Sequence, residues 1–349
     1  MKNDFFHDLY MTIRDVRVRD CSAMSLSHLL HGYLSVYAMV RVSPALEREY
    51  GTLQEIHGRL REIAKELSKT MKDTSIELDE RIGYMADLMD AYQRFETLEL
   101  CARTELNAKV LGDPTYLTDE QIGRHDASLP TDYPHFMGVS YPSDERAIRT
   151  DICRIVRRSC DQGLMISTYG TVSVRWRGND FLITPPGVPR WDIEPENIVQ
   201  VKNGMVEAGK IPSRSVAMHQ AIYQSNPNID SIILTQSPYL MGFCTSGIKF
   251  DVRTIPESWI QLQDVPLVPF NLQYEDPNAI AEMTKTHPCL LLANDSVLIT
   301  GKKLIDTFDH LEVAEFSAKS LIMAAPIGTL QPINDKEIEE LRVAFHVGQ

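Results

Sequence analysis

Residues 231–235, Ser-Ile-Ile-Leu-Thr, are the feature that most constrains the fold. The run is short and apolar at its centre, and the turn-like residues 226–230 precede it. A short apolar run between turn signals is typical of a strand in a sheet that is covered on both faces. We therefore expect a sheet between layers of helices, with Gln236 and Ser237 in the tight polar turn that follows this strand.

The first part of the chain has a different pattern, which is helical from about residue 5 to residue 110. Two segments carry apolar residues at alternating steps of three and four, which places them on one stripe of a helix. They are Leu53, Ile56, Leu60, Ile63 and Leu67 in the first segment, and Leu78, Ile82, Met85, Met89 and Tyr92 in the second. We interpret the stripes as the core of a helical hairpin, with a coiled-coil seam or contact with a second copy as the alternative.

These patterns divide the chain into three parts. Residues 1–111 form the predicted helical domain. Residues 112–143 contain four prolines, which break long helices or strands, and we interpret them as a linker. Residues 144–349 alternate helices with short strands and form the predicted second domain.

Composition narrows the partners and the compartment. The formal net charge of −13 argues against nucleic acid or a membrane surface as the main partner, because both favour faces rich in Lys and Arg. The six cysteines are scattered without a Cys-x-x-Cys motif, so we expect reduced thiols. The first residues are too polar for a signal peptide, and no apolar run is long enough to cross a bilayer. We expect a cytoplasmic protein.

Several motifs of the second domain follow one another in a characteristic order. They read Gly170-Thr-Val-Ser-Val-Arg175, Thr184-Pro-Pro-Gly187, Pro212-Ser-Arg-Ser215, the strand at 231–235 with its turn, and Ala293-Asn-Asp-Ser296. Together they resemble the class II aldolase/adducin family over roughly residues 145–330. The resemblance implies an α+β protein, in which an N-terminal α-helical domain precedes a three-layer α/β/α domain with a mainly antiparallel sheet. It also implies a homo-oligomer, commonly a ring tetramer in this family.

The family's chemistry depends on three zinc-binding histidines and one catalytic carboxylate. The resemblance places Leu234, Gln236 and Asp295 at the three ligand positions and Ser215 at the carboxylate position. Leucine has no lone pair, and two oxygen ligands are too few for a site built by the protein alone. We therefore expect no metal and no cofactor. The alternative is a divalent metal at a rebuilt site of His219, Asp295 and Gln236.

The other half of the family's site is a pocket for phosphate, and its hydrogen-bond donors are partly retained. The resemblance assigns to it the residues Thr168, Gly170, Thr171, Thr184, Gly187, Ser213 and Arg214. An arginine suits bidentate contact with an anion, and backbone N–H groups and hydroxyls add donors. The alternative is that these are turn residues chosen only for backbone geometry. A small anionic ligand is thus one expected partner.

Three functional hypotheses follow. The first is a non-catalytic protein that binds a ligand, regulates or acts as a scaffold, as the adducin branch of the family does. The second is an aldolase-type or decarboxylase-type lyase that acts on a small phosphorylated or carboxylated substrate with a different metal arrangement. The third is a metal-independent enzyme in which Ser215, His219 and Asp295 form a new acid–base group. We rank them in this order, because four chemical positions are substituted.

Overall fold

Two compact units make up the chain, residues 1–95 and residues 96–349. The structure, a computed structural model, describes residues 55–56, 58–63, 65, 78–130, 132–137, 141–328 and 330–347. The predicted limits of the helical domain, the linker and the second domain stay a prediction.

The first unit is helical wherever the structure describes it between residues 55 and 65. Ile56, Leu60 and Ile63 from the first predicted stripe are buried there, and so is Tyr92 from the second. The remaining stripe positions lie outside the described side chains: Leu53, Leu67, Leu78, Ile82, Met85 and Met89. Whether the stripes form a hairpin core or meet a second copy therefore stays a prediction.

The described helices are labelled in chain order. They are α1 (Leu78–Leu111), α2 (Asp119–Ser128), α3 (Ser143–Asp161), α4 (Val216–Ser225), α5 (Pro238–Ser246), α6 (Pro256–Leu262), α7 (Leu272–Glu275), α8 (Pro277–Met283), α9 (Leu304–Ala324) and α10 (Asp335–Ala344). A 3₁₀ turn spans Arg190–Asp192. Helix α2 lies inside the segment predicted as a linker, where Thr118 and Gln121 form a capping box at its start.

The described strands form one sheet of nine. They are β1 (His135–Phe136), β2 (Thr171–Arg177), β3 (Asp180–Ile183), β4 (Val199–Lys202), β5 (Met205–Glu207), β6 (Ser231–Thr235), β7 (Leu267–Val268), β8 (Cys289–Leu292) and β9 (Ser296–Gly301). Their order across the sheet is β1-β5-β4-β3-β2-β6-β9-β8-β7. The strand predicted at residues 231–235 is β6, and it lies in the middle of the sheet.

This sheet is mixed, which corrects the prediction of a mainly antiparallel one. Strand β1 pairs parallel with β5 at one edge, and β7 pairs parallel with β8 at the other. The pairs between them are antiparallel. Each of the two edge strands is two residues long, which is too short to leave a hydrophobic period in the sequence.

Helices pack against the central strands because both faces of those strands are apolar. Helices α4 and α8 share a core with alternate residues of the sheet, including Ile232, Leu234 and Leu298. The residues between them, such as Ile233 and Ile299, are also fully buried and point to the opposite face. Helix α9 contacts β6 and β9, and α3 contacts β2. Every residue of β6 is buried, as the sequence pattern predicted.

Candidate functional site

Three polar segments meet at one end of the central strands β2, β6 and β9. Thr171, the first residue of β2, pairs with Leu234 near the end of β6. Thr235 pairs with Val297 at the start of β9. Because both neighbours of β6 run antiparallel to it, the residues before β2 and β9 lie beside the residues after β6 at this end of the strands. Gly170, Gln236 and Asp295 therefore converge although they lie far apart in the chain.

A cavity of about 70 Å³ lies at this end of the central strands, a volume that about two water molecules occupy in the liquid. Its lining consists of Thr168, Tyr169, Gly170, Thr171, Pro186, Arg190, Ser213, Arg214, Ser215, Leu234, Gln236, Tyr274 and Asp295. Five of the seven predicted anion residues line it, together with all three substituted ligand positions. The lining carries two arginines and one aspartate, so it can be net positive.

Hydroxyl groups form a connected chain along one wall of the cavity. The Thr171 hydroxyl lies 2.7 Å from the Ser213 hydroxyl, which lies 3.0 Å from the Ser215 hydroxyl. Hydroxyls can turn to donate to an incoming anion, since their hydrogen positions are not fixed. Thr184 lies behind this wall, where its hydroxyl accepts a hydrogen bond from the Val172 N–H. Neither Thr184 nor Gly187 is part of the lining.

Gly170 occupies a position that admits no side chain. Its φ is +90°, and a Cβ there would lie 2.9 Å from the Met165 sulfur. The loop before β2 can therefore approach the cavity closely only because this residue is glycine. Buried Arg190 donates a hydrogen bond to the Gly170 carbonyl.

A second wall, adjacent to the first because Leu234 pairs with Thr171, holds the residues at the ligand positions. Leu234 is 6% exposed and belongs to the core beneath β6. The Gln236 side-chain oxygen is buried and accepts no hydrogen bond from the described residues. Asp295 accepts a hydrogen bond from the Ser296 hydroxyl, and its burial raises its pKa, whereas His125 and Arg214 lower it.

These donors do not fit a zinc ion. Among the residues that the structure describes, no three His, Cys, Asp or Glu side chains converge in a group that could hold a metal. Zinc in proteins takes three or four nitrogen, sulfur or carboxylate ligands. This wall offers one carboxylate, one amide oxygen and an aliphatic side chain.

The structure places His219 away from the cavity. Its ring is fully buried and its Nδ1 lies 2.7 Å from the Ser173 hydroxyl, which lies 2.7 Å from the Tyr223 hydroxyl. Burial lowers the pKa of His219 to about 3, so the ring is neutral at pH 7. The cavity thus brings together Ser215 and Asp295 but not His219, because α4 turns the histidine toward β2.

Helix α2 supplies a residue that the sequence reading passed over. His125 lies with its Nδ1 2.8 Å from the side-chain oxygen of Asn271, and its ring centre is 5.2 Å from that of Tyr274. Tyr274 lines the cavity, and burial raises its pKa. The capping box of α2 was a readable signal for the helix, but nothing in the sequence indicated where it would dock.

Comparison with known proteins identifies a large part of the second unit. A family model described as "Class II Aldolase and Adducin N-terminal domain" matches residues 150–322. Residues 150–322 belong to the class II aldolase and adducin family. The predicted resemblance is thereby confirmed for the C-terminal part of the chain.

Relatives of this class II aldolase domain include named enzymes. The 3-oxo-tetronate 4-phosphate decarboxylase of Escherichia coli K12 is 26% identical over 205 residues, which cover 57% of this chain and 96% of the relative. The L-fuculose phosphate aldolase of Methanocaldococcus jannaschii is 29% identical over 174 residues, which cover 49% of this chain and 93% of the relative.

Solved structures agree on the fold. The YgbL protein of Klebsiella pneumoniae, titled a putative aldolase/epimerase/decarboxylase, gives a TM-score of 0.53 at 24% identity and covers 58% of this chain and all of its own. An L-fuculose 1-phosphate aldolase gives 0.52 at 24% identity, over 57% of this chain and 96% of its own. In the described part of the present chain, no helix has the length and apolarity needed to span a membrane.

Proposed function

We propose that the class II aldolase domain binds the phosphate of a small phosphorylated sugar or sugar acid and acts on it as a lyase of the aldolase or decarboxylase type. The observation that carries the proposal is the convergence of Arg214 with the hydroxyls of Thr171, Ser213 and Ser215 in one cavity. The names of the relatives support the substrate class, because they share a phosphorylated small molecule.

Binding is the part that this chain's residues explain best. Arg214 can contact two phosphate oxygens at once, and the hydroxyl chain that starts at Thr171 can donate to the remaining oxygen.

The second wall supplies the groups suited to the chemistry. Aldol cleavage and decarboxylation of an oxo acid both leave negative charge on a carbonyl oxygen, and donors directed at that oxygen stabilise it. The Gln236 amide, the Tyr274 hydroxyl and the Asp295 carboxyl line the cavity there. These groups are the ones that would orient the carbonyl and hold or move a proton.

Membership of the family favours this reading over a non-catalytic one, because the named relatives above are enzymes by their titles. Family membership does not support the expectation of a protein without a cofactor, because the family's chemistry implies a divalent metal. The three inherited positions do not supply its usual ligands, so no step is assigned to a metal.

A ligand-binding protein without catalysis is the second candidate. Leu234, which has no lone pair, favours it together with the lack of a metal-binding cluster among the described residues. In either case we propose a homo-oligomer. Helix α9 exposes Phe316 and Met323, which are 63% and 59% accessible, and such apolar surface is typical of contact faces.

One experiment separates the two candidates. L-fuculose 1-phosphate and a 3-oxo-tetronate 4-phosphate are incubated with the full-length protein, and phosphorus NMR follows the phosphorylated species. Runs with chelator and runs with added zinc, manganese or magnesium are compared. Turnover that is lost in Arg214→Met and kept in Arg154→Met supports the lyase, since Arg154 is exposed, pairs with Asp151 and lies outside the cavity lining.

Two other results are decisive. Calorimetric binding of either sugar phosphate without turnover under every metal condition supports the non-catalytic candidate. Neither binding nor turnover in the unaltered protein contradicts both.

A further inference from the structure

Arg190 is a buried arginine in the wall of the cavity. It begins the 3₁₀ turn after the Thr184–Gly187 loop, and it is 2% exposed. Its own N–H donates to the Ser167 carbonyl at 2.8 Å. The side chain therefore lies between the loop before β2 and the loop after β3, which are the two loops that approach the cavity from one side.

Its guanidinium joins these loops through three carbonyl groups. Nε donates to Gly170 at 2.8 Å, Nη1 to Val188 at 2.9 Å and Nη2 to Pro185 at 2.9 Å. The loop at 185–189 contains three prolines, which lack the N–H groups that a loop would use to bond with itself. The planar fork of Arg190 supplies the donors instead, and lysine cannot reproduce its geometry.

Among the described residues, no carboxylate forms an ion pair with Arg190. Burial lowers the pKa of Arg190 to about 10, and only the Cys160 thiol acts in the other direction. Two other arginines that bond to carbonyls have acidic partners: Arg149 pairs with Glu145 and Glu207, and Arg175 pairs with Asp230. Arg190 stays protonated at pH 7, and an unpaired buried charge raises the potential of the cavity beside it.

We propose that Arg190 is a positioning residue of the anion site: it holds the two loops in the shape that receives the anion and adds unpaired positive charge behind them. This inference rests on the proposed function, because it names a further determinant of anion affinity at the same site. Arg190 itself bonds to carbonyls rather than to the ligand.

The test uses the full-length protein, inorganic phosphate and three variants. Arg190→Met removes the charge and the fork, and Arg190→Lys keeps the charge but loses the fork. Arg175→Met is the matched control, since Arg175 also donates to carbonyls, of Tyr223, Ile229 and Gly178, but lies outside the cavity lining. Calorimetry at low and high salt gives the phosphate Kd, and hydrogen exchange reports on residues 167–171 and 184–189.

We expect Arg190→Met to raise the phosphate Kd at least about ten-fold and to weaken its salt dependence. Arg190→Lys should give an intermediate Kd, with faster exchange in both loops. Arg175→Met should leave the Kd within about two-fold. A purely structural role would not separate the two methionine variants or change the salt dependence.

Folded Arg190 variants that keep the phosphate Kd and the hydrogen exchange of the unaltered protein overturn the inference. If Arg214→Met still abolishes phosphate binding in that case, the proposed function stands. Where Arg190→Met does not fold, Arg190→Lys decides by the same criteria. An unaltered protein that binds no phosphate contradicts the proposed anion site, and the exchange of the two loops in Arg190→Lys still decides whether Arg190 positions them.

Discussion

The two walls of the cavity differ in the chemistry that their side chains can supply. One wall has Arg214 and the linked hydroxyls of Thr171 and Ser213, which suit an anion. The other has Leu234 and Gln236 where the family resemblance leads one to expect imidazole rings. The start of β2 and the residues before α4 carry the first wall, whereas the end of β6 and the residue after it carry the second. Because different segments carry them, one wall can change while the other stays.

Introducing histidine at the three ligand positions tests whether the second wall would bind zinc if it carried the right side chains. The triple variant Leu234→His, Gln236→His, Asp295→His should take up stoichiometric zinc, with affinity raised by several orders of magnitude, because the three positions converge in one cavity and zinc favours imidazole. Metal analysis of the purified protein gives the result.

His219→Ala in the same triple variant is the control, and it should leave the zinc content unchanged because His219 lies outside the lining. A folded triple variant with no more zinc than the unaltered protein would show that the backbone at this wall no longer matches a metal site.

Leu234→Ala should have the next largest effect, and on stability rather than on binding. Leu234 belongs to the core beneath β6, so the truncation should lower the free energy of unfolding by about 2–4 kcal/mol. The phosphate Kd should stay within about two-fold. Urea denaturation and calorimetry measure the two quantities, and a large loss of phosphate affinity in a folded protein would mean that the walls are not separable.

The pH dependence of the free energy of unfolding should distinguish His219 from the cavity residues. Its pKa is about 3 in the folded protein and about 6.5 in an unfolded chain, so the unfolded state binds more protons between these values. Stability is therefore complete above about pH 6.5 and falls as the pH decreases. Between pH 7 and pH 5 the loss from this group is about 2 kcal/mol.

The variant His219→Asn should remove most of that loss, as urea denaturation at the two pH values would measure. Its phosphate Kd at pH 7 should match that of the unaltered protein. The same pH dependence in variant and parent would assign the effect to other groups.

Local patterns in the sequence predicted the elements well and the site only in part. The apolar run at 231–235 corresponds to β6. The motif at residues 170–175 begins one residue before β2, which starts at Thr171, because residues 166–169 turn and Gly170 has a positive φ. Turn geometry of this kind depends on neighbours that a linear pattern does not include.

Contacts between distant segments were the part that the sequence could not give. His125 and Asn271 are 146 residues apart, and Arg190 reaches back 20 residues to Gly170. His219 lies one turn after Ser215 and was therefore a reasonable candidate for the site, but the direction of its side chain is set by packing against β2. Such directions follow from tertiary contacts rather than from spacing.

A calorimetric titration of the full-length protein with inorganic phosphate, in the presence of a chelator and then with added zinc, tests most directly whether the anion site works without a metal. We expect binding with the same Kd under both conditions, because Arg214 and the hydroxyl wall act without a metal. Phosphate binding that disappears with the chelator and returns with zinc would contradict it.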